Sequence, residues 1–232
     1  MEKNDLLFID TETTGVDEDD RLCQMGVQYY DGDTGWKNSE YFKPPLPISL
    51  EAMSVTHITN DKVKNKPTFE GSDMQLNLKK MADDNTIFVA HNADFDLKML
   101  AKEGIVPKRH ICTMKLAHDF DKKGDFGKYN LQYLRYKFDL QGLKDINPHD
   151  AMLDVIVLEA LFKQVFVDKY TGDEMLEISS RPIRFKKWMF GKHKGETFEH
   201  VAKVDKDYLL WFRRQADVDE NMLYTLNYWI NK

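Results

Sequence analysis

The chain has 232 residues, of which 42% are hydrophobic, 31% charged and 12% aromatic. That mixture supports a packed core and excludes wholesale disorder. A net charge of −6 argues against a simple basic nucleic-acid binder, and no apolar run approaches the roughly 18–20 residues that span a bilayer. Two cysteines, Cys23 and Cys112, cannot build a disulfide framework and lack zinc-ligand spacing. With an acidic lead too short for a signal peptide, they are expected as buried free thiols in a reducing cytoplasm.

Leu6-Leu7-Phe8-Ile9 is a short continuous apolar run, the mark of a strand buried on both faces. It leads into Asp10-Thr11-Glu12 and the turn Thr13-Thr14-Gly15. Further strands are predicted over 22–30, closing on Asp31-Gly32-Asp33, and over 36–42, which makes an antiparallel meander. Pro44-Pro45-Leu46-Pro47 reads as an extended connector, with a proline-motif ligand as the alternative. A helical turn is expected over 49–53.

The period then changes. A helix is predicted over 69–81, a buried strand over 86–90, and a helix over 95–102 stopped by Gly104. A fifth strand over 110–114 precedes helical segments over 115–120 and 131–136, and a longer helix runs from Pro148 to about Val167. Antiparallel strands followed by strand–helix units predict a mixed α/β layer fold with helices on both faces. At roughly 100–200 residues per domain, one main domain (1–169) with an appendage (184–232) is expected, joined by a linker (170–183). The appendage should hold a hairpin over 188–195 and an aromatic-rich helix over 208–214.

Charge is distributed unevenly. Residues 181–214 carry ten basic and four acidic side chains, against 22 basic and 32 acidic over 1–180. An acidic body with a basic tail suits a protein whose body carries a cation and whose tail meets an anionic polymer.

Several acids stand where a core is expected. The helix after Pro148 has an apolar stripe of Ala151, Val155, Leu158, Leu161, Phe162 and Val165, and Asp154 faces the same side. An ionised carboxylate against a core is costly unless it is paired, by an arginine for example, or bound to a metal. Asp10 and Glu12 alternate, so both point to one face of a strand end, and no basic residue follows until Arg21. A divalent cation resolves their repulsion, since Mg²⁺ and Mn²⁺ take oxygen ligands; a solvated acidic turn is the alternative. In His91-Asn92-Ala93-Asp94-Phe95-Asp96, Asp94 fits a helix cap, which leaves Asp96 free to turn toward the sheet. In open α/β folds such strand ends converge on one site. His149 enters the helix of Asp154, and a histidine can take a proton near neutral pH.

Together, 8–15, 90–96 and 149–154 resemble the three motifs of DnaQ-like, DEDDh-type 3′→5′ exonucleases, with four residues between His149 and Asp154 indicating the histidine subclass. Residues 47–59 and 111–117, with the tail segments 190–195 and 207–211, are similar to the bacterial exodeoxyribonuclease X branch. A small insertion at 122–127 and an indistinct stretch at 140–148 depart from that pattern. The resemblance implies a ribonuclease-H-like mixed five-stranded sheet and a pair of Mg²⁺ ions, with Mn²⁺ able to substitute, on Asp10, Glu12, Asp96 and Asp154. It makes His149 the general base and DNA 3′ ends, single-stranded or duplex, the substrate, with 5′-mononucleotides as product. Thr13, Thr14, His57 and Asn92 stand at positions near the substrate, although a turn-stabilising role suits His57 and Asn92 equally. In the tail, Trp211 is expected to pack while Lys192 and Lys194 attract phosphate. The alternatives are an RNA-trimming or proofreading member of the same superfamily, or a non-catalytic nucleic-acid-binding module.

Overall fold

The apolar run at Leu6 becomes the centre of a five-stranded sheet. In the computed structural model, which describes residues 5–32, 34–84, 86–143 and 149–232, β1 (Leu6–Thr13) pairs antiparallel with β2 (Leu22–Tyr30), and β2 with β3 (Gly35–Tyr41). On its other edge β1 runs parallel to β4 (Ile87–Ala90), which runs parallel to β5 (Arg109–Cys112). The spatial order is β3-β2-β1-β4-β5, a mixed sheet of the ribonuclease-H-like kind.

Strand alternation divides the core in two. Leu6 and Phe8, with Ile87, Val89 and Ile111, pack against α5 (Thr113–Phe120), α6 (Leu131–Lys137), α7 (Ala151–Leu161) and α8 (Gly172–Ser180). Leu7 and Ile9, with Phe88, Ala90 and Cys112, face α3 (Asp73–Asp83) and α4 (Ala93–Lys102). The short helices α1 (Leu50–Thr56) and α2 (Asn60–Val63) cover the side near Cys23. Each fully buried side chain of this size contributes roughly 1.5–3 kcal/mol relative to exposure, so β1 anchors both layers. Cys23 and Cys112 are free and buried, as expected. No described helix is long and apolar enough to cross a membrane.

Local chemistry moves several boundaries. The helix predicted from residue 69 begins at Asp73, because Gly71 adopts φ 77° and the Ser72 hydroxyl accepts the Gln75 amide at 3.1 Å. The long helix after Pro148 is regular only to Leu161 and continues as a π-turn over Phe162–Phe166. Asp94 is not the cap of α4. Asn92 stands at that position, and Asp94 is exposed and ion-paired with Lys115 Nζ at 3.2 Å. The stretch expected as a linker holds α8, started by a capping box of Thr171 and Glu174. Its Ser179 hydroxyl accepts the Cys112 amide at 2.9 Å, which fastens α8 to the end of β5. Of the 140–148 stretch, 144–148 lie outside the described residues.

The C-terminal unit gathers around Trp188, which is 1% exposed and stacks on Phe198 at 4.5 Å. Its hairpin is reduced to a loop closed by one bridge, Lys187 to Thr197, with Trp188 N donating to Glu196 O at 2.9 Å. Three helices follow: α9 (Phe198–Val204), α10 (Lys206–Phe212) and α11 (Glu220–Ile230). The packing role expected of Trp211 belongs to Trp188; Trp211 is 55% exposed. On α10 it is Leu209, fully buried, that turns inward instead.

Candidate active site

Three chain segments meet where β1 and β4 end. Because Phe8 lies beside Val89 in parallel register, the chain leaving β4 passes over Asp10 and Thr11 as it enters α4. Asp10 and Glu12 continue the Leu6–Phe8 face and therefore look toward α7, which carries Asp154. Thr11 looks the other way, to α4. Its amide and hydroxyl both donate to Asp96 Oδ1, at 3.0 and 2.8 Å, holding a carboxylate that is only 3% exposed.

Helix α7 reaches this point because Gly26 has no side chain. Gly26 pairs with Asp10 across the β1–β2 ladder, and a Cβ there would stand 2.4 Å from the Ala151 carbonyl oxygen. The helix start thus rests on sheet backbone. Asp150 caps it, accepting from the Met152 and Leu153 amides, and also receives Gln24 Nε2 and Tyr41 Oη, each at 3.2 Å. Asp154, buried one turn later, accepts Gln132 Nε2 from α6 at 2.6 Å and the His149 amide at 2.9 Å. No arginine bonds it among the described residues; a neutral amide and a backbone N–H do so.

Electrostatically the cluster is frustrated. Burial, and then the charges of Asp154 and Asp96, push Glu12 up to about 8. Burial raises Asp96 to about 7 despite the two Thr11 bonds. Asp10 is raised by burial and by Asp96, Asp154 and Glu12, and Asp154 is raised by burial against the pull of its two donors. Four carboxylates that burial raises, two of them (Asp10 and Glu12) raised further by their neighbours' charges, supply hard oxygen donors and form a set that fits divalent cations. Glu12, His149 and Asp154 each offer an atom within 4.8 Å of the other two. His149 is exposed and holds a left-handed backbone at φ 64°.

The other expected site residues fall into two groups. Thr13 and Thr14 follow Asp10 and Glu12 directly, and their hydroxyls are engaged in the turn, donating to Gly15 O and Asp20 Oδ1 at 2.6 Å each. Asn92 and His57 are exposed and, like His149, adopt positive φ, 61° and 56°. Such conformations are uncommon outside glycine and cluster at ligand sites. Lys192 and Lys194 lie outside the cluster, on the loop of the C-terminal unit, where Lys192 donates to Asp205 at 2.6 Å. Sequence reasoning missed Thr11, Gly26 and Gln132. A glycine inside an apolar strand is a readable sign of close backbone approach, whereas nothing local marks Gln132.

Comparison with known proteins agrees with this geometry. An exonuclease family model matches residues 7–162, and an exodeoxyribonuclease X-like C-terminal model matches 189–217. Exodeoxyribonuclease 10 of Escherichia coli K12 is 30% identical over 220 residues, covering 91% of this chain and 92% of that protein. A PolC-type DNA polymerase III of Staphylococcus epidermidis is 28% identical over 185 residues, 75% of this chain but 12% of the polymerase. Among solved structures, exonuclease X bound to 5′-overhanging duplex DNA superposes with a TM-score of 0.61 at 27% identity, covering 75% of this chain and 99% of that one. An E. coli exonuclease I complex with single-stranded DNA shares the fold, with a TM-score of 0.60 at 19% identity over 72% of this chain and 41% of that one. Sheet order, family match and near full-length similarity lead to one conclusion: this chain is an enzyme of the exonuclease family with an exodeoxyribonuclease X-like C-terminal region.

Proposed function

We propose that the protein is a divalent-metal-dependent 3′→5′ exodeoxyribonuclease, releasing 5′-mononucleotides one at a time from DNA 3′ ends, single-stranded or duplex. The observation that carries the reading is the largely buried set Asp10, Glu12, Asp96 and Asp154, whose carboxyls are all held above their ordinary range and can keep their charge near neutral pH when a cation neutralises them. Those four would hold two Mg²⁺ ions, or Mn²⁺ in their place. When bound, such a pair supplies positive charge to both the attacking and the leaving oxygen of an in-line phosphoryl displacement.

The chain's own residues do the rest. His149 takes the proton of the attacking water at a ring nitrogen, within reach of Glu12 and Asp154. The hydrogen bond from its backbone N–H to Asp154 keeps base and ligand in register. Thr11 and Gln132 orient Asp96 and Asp154, so little reorganisation accompanies the chemistry. The Thr13–Thr14 turn, Asn92 and His57 border the terminal nucleotide, and Lys192 and Lys194 add phosphate attraction from the tail. DNA is favoured over RNA by the relatives, whose names specify deoxyribonuclease activity or a DNA complex. Buried thiols suit a cytoplasmic setting.

The test offers single-stranded DNA, duplex DNA and RNA, each labelled upstream of the 3′ end, with Mg²⁺ and with EDTA as control. Stepwise 3′ shortening of DNA that stops in EDTA is expected. Metal-independent cleavage, or RNA degraded faster than either DNA, overturns the proposal.

A further inference from the structure

The family reading leaves one basic cleft unused. Between the loop preceding α6 and the start of the C-terminal unit lies an open cavity of about 310 Å³, lined among others by Lys128, Tyr129, Asn130, Lys186, Lys187 and Met189. It adjoins a smaller hollow lined by Arg181, Arg184 and Asp119, the last paired with Arg181 at 3.5 Å, and the two share His118 and Lys186 as walls. The 122–127 insertion forms part of the rim. Asp121 accepts the Asp125 and Phe126 amides at 3.0 and 2.8 Å, which shapes that loop, and Lys187 is ion-paired to Asp125 across the cleft.

Two facts connect this cleft to the carboxylates. Asn130, in its wall, caps α6, and Gln132 two residues later donates to Asp154. Two residues of helix advance only about 3 Å along the axis. Tyr129 also accepts His91 Nε2 at its carbonyl, 2.7 Å away, and His91 directly follows β4, whose end passes over Asp10. One wall of the cleft is therefore tied, through Gln132 and His91, to the segments that carry the site.

Its charge is net positive: Asp119 and Asp125 pair with Arg181 and Lys187, which leaves Lys128, Arg184 and Lys186 in excess. Lys128 is exposed and has no ion-pair partner among the described residues. Lys186 is half-buried and held below the usual lysine range by desolvation and by the neighbouring Arg184. A fold that gathers cations in a partly desolvated groove gains from a polyanion lying there. Met189, which lines the cleft, and the adjacent Phe190, 52% and 46% exposed, add apolar surface on which bases can rest.

We infer that this cleft is the track of the substrate strand, gripping the DNA phosphates upstream of the 3′-terminal nucleotide through Lys128, Lys186 and Lys187. The inference rests on the nuclease reading and assigns the insertion and the first residues of the C-terminal unit a joint role in substrate binding.

The experiment measures binding of a fluorescent 12-nucleotide single strand in Ca²⁺ at several salt concentrations, and separately measures its degradation in Mg²⁺. For the variant carrying Lys128→Ala, Lys186→Ala and Lys187→Ala, affinity should fall at least about tenfold, and the slope of log affinity against log salt should flatten by about 2, near 0.7 per lost phosphate contact. Lys128→Glu alone should shift both quantities in the same direction, and since this exposed side chain supports no packing, that result does not depend on folding. Lys37→Ala, on the remote strand β3, should change neither. A triple variant and a Lys128→Glu variant that both keep wild-type affinity and salt slope, in a chain that degrades the strand, overturn the track and leave the nuclease reading standing. A wild-type chain that binds no DNA removes both.

Discussion

The carboxylate cluster and the C-terminal unit treat the same side chains in opposite ways. Around His193 in the C-terminal unit acids and bases are matched. His193, 6% exposed, lies between Glu196 and Asp205, 3.0 Å from each, and Lys192 joins Asp205. Lys192 and His193 pull Asp205 down to about 2. At the ends of β1 and β4 the acids gather without such partners, and Glu12 stands near 8 and Asp96 near 7. Exposure is part of the difference: Asp205 is only half-buried, and Glu199, lowered by Lys203, stands in the open, whereas burial is the largest cause of the rise at Glu12 and Asp96. A cluster balanced within its own sequence is built for its own stability; a cluster left unbalanced is built for something that arrives from outside.

That contrast can be broken most directly at the acids. Asp10→Ala and Asp154→Ala should each lower exonuclease turnover by about 10³-fold or more, with an unchanged circular dichroism spectrum. Substantial residual turnover would mean that the cluster is a structural accident. His149→Ala should lower the rate at neutral pH by roughly 10²–10⁴-fold while calcium affinity, followed by calorimetry, changes much less. A variant with the wild-type pH–rate profile removes His149 as the base.

Gly26→Ala tests whether geometry or charge dominates. The added methyl would meet the Ala151 carbonyl, lift α7, and cost on the order of 10²-fold in rate through misplacement of Asp154, even though no acid is altered. Rescue by higher Mg²⁺ without loss of melting temperature would show that α7 does not depend on this contact.

A smaller effect appears in the metal-free protein. Glu12 and Asp96 have folded pKa values above their unfolded ones, so the folded state binds more protons. Their stabilisation is complete below about pH 4 and is lost as pH rises through 7 to 8. In EDTA the melting temperature should therefore fall between pH 5 and pH 8, by on the order of 5 °C, and added Mg²⁺ should restore most at pH 8. A flat profile would mean that the carboxylates are already neutralised from within. The smallest effect on turnover is expected from His193→Ala. It removes a buried side chain that bridges Glu196 and Asp205 and should loosen that unit, read as lower hydrogen-exchange protection over 188–212, with the rate on a saturating short strand unchanged.

Much of this was legible in the chain itself, and the particular residues show why. Leu6–Ile9 announced a doubly covered strand because four successive apolar residues leave no polar face. Asp10 and Glu12 stood out because strand alternation puts them on one side, and Asp154 because its helix has a clear stripe. Where the reading slipped, competing local groups decided. Asp94 lost the cap position to Asn92 and pairs instead with Lys115, 21 residues away. Trp211 gave way to Trp188, which alone of the two reaches the centre of the appendage. The supposed linker folded because Thr171 and Glu174 cap a helix whose Met175 and Ile178 find the main core.

The amino-acid order by itself determined the five strands of the main domain, which residues are acidic at strand ends, and how the charge divides between body and tail, since all of these follow from short-range periodicity and composition. Only the tertiary structure decided that Gly26 makes room for α7, that Thr11 and Gln132 orient Asp96 and Asp154, and that one wall of a basic cleft is tied to the segments that carry them. Those outcomes depend on contacts between residues 22 to 125 positions apart. Contacts over such separations are set by sheet register and helix packing, which no local pattern encodes.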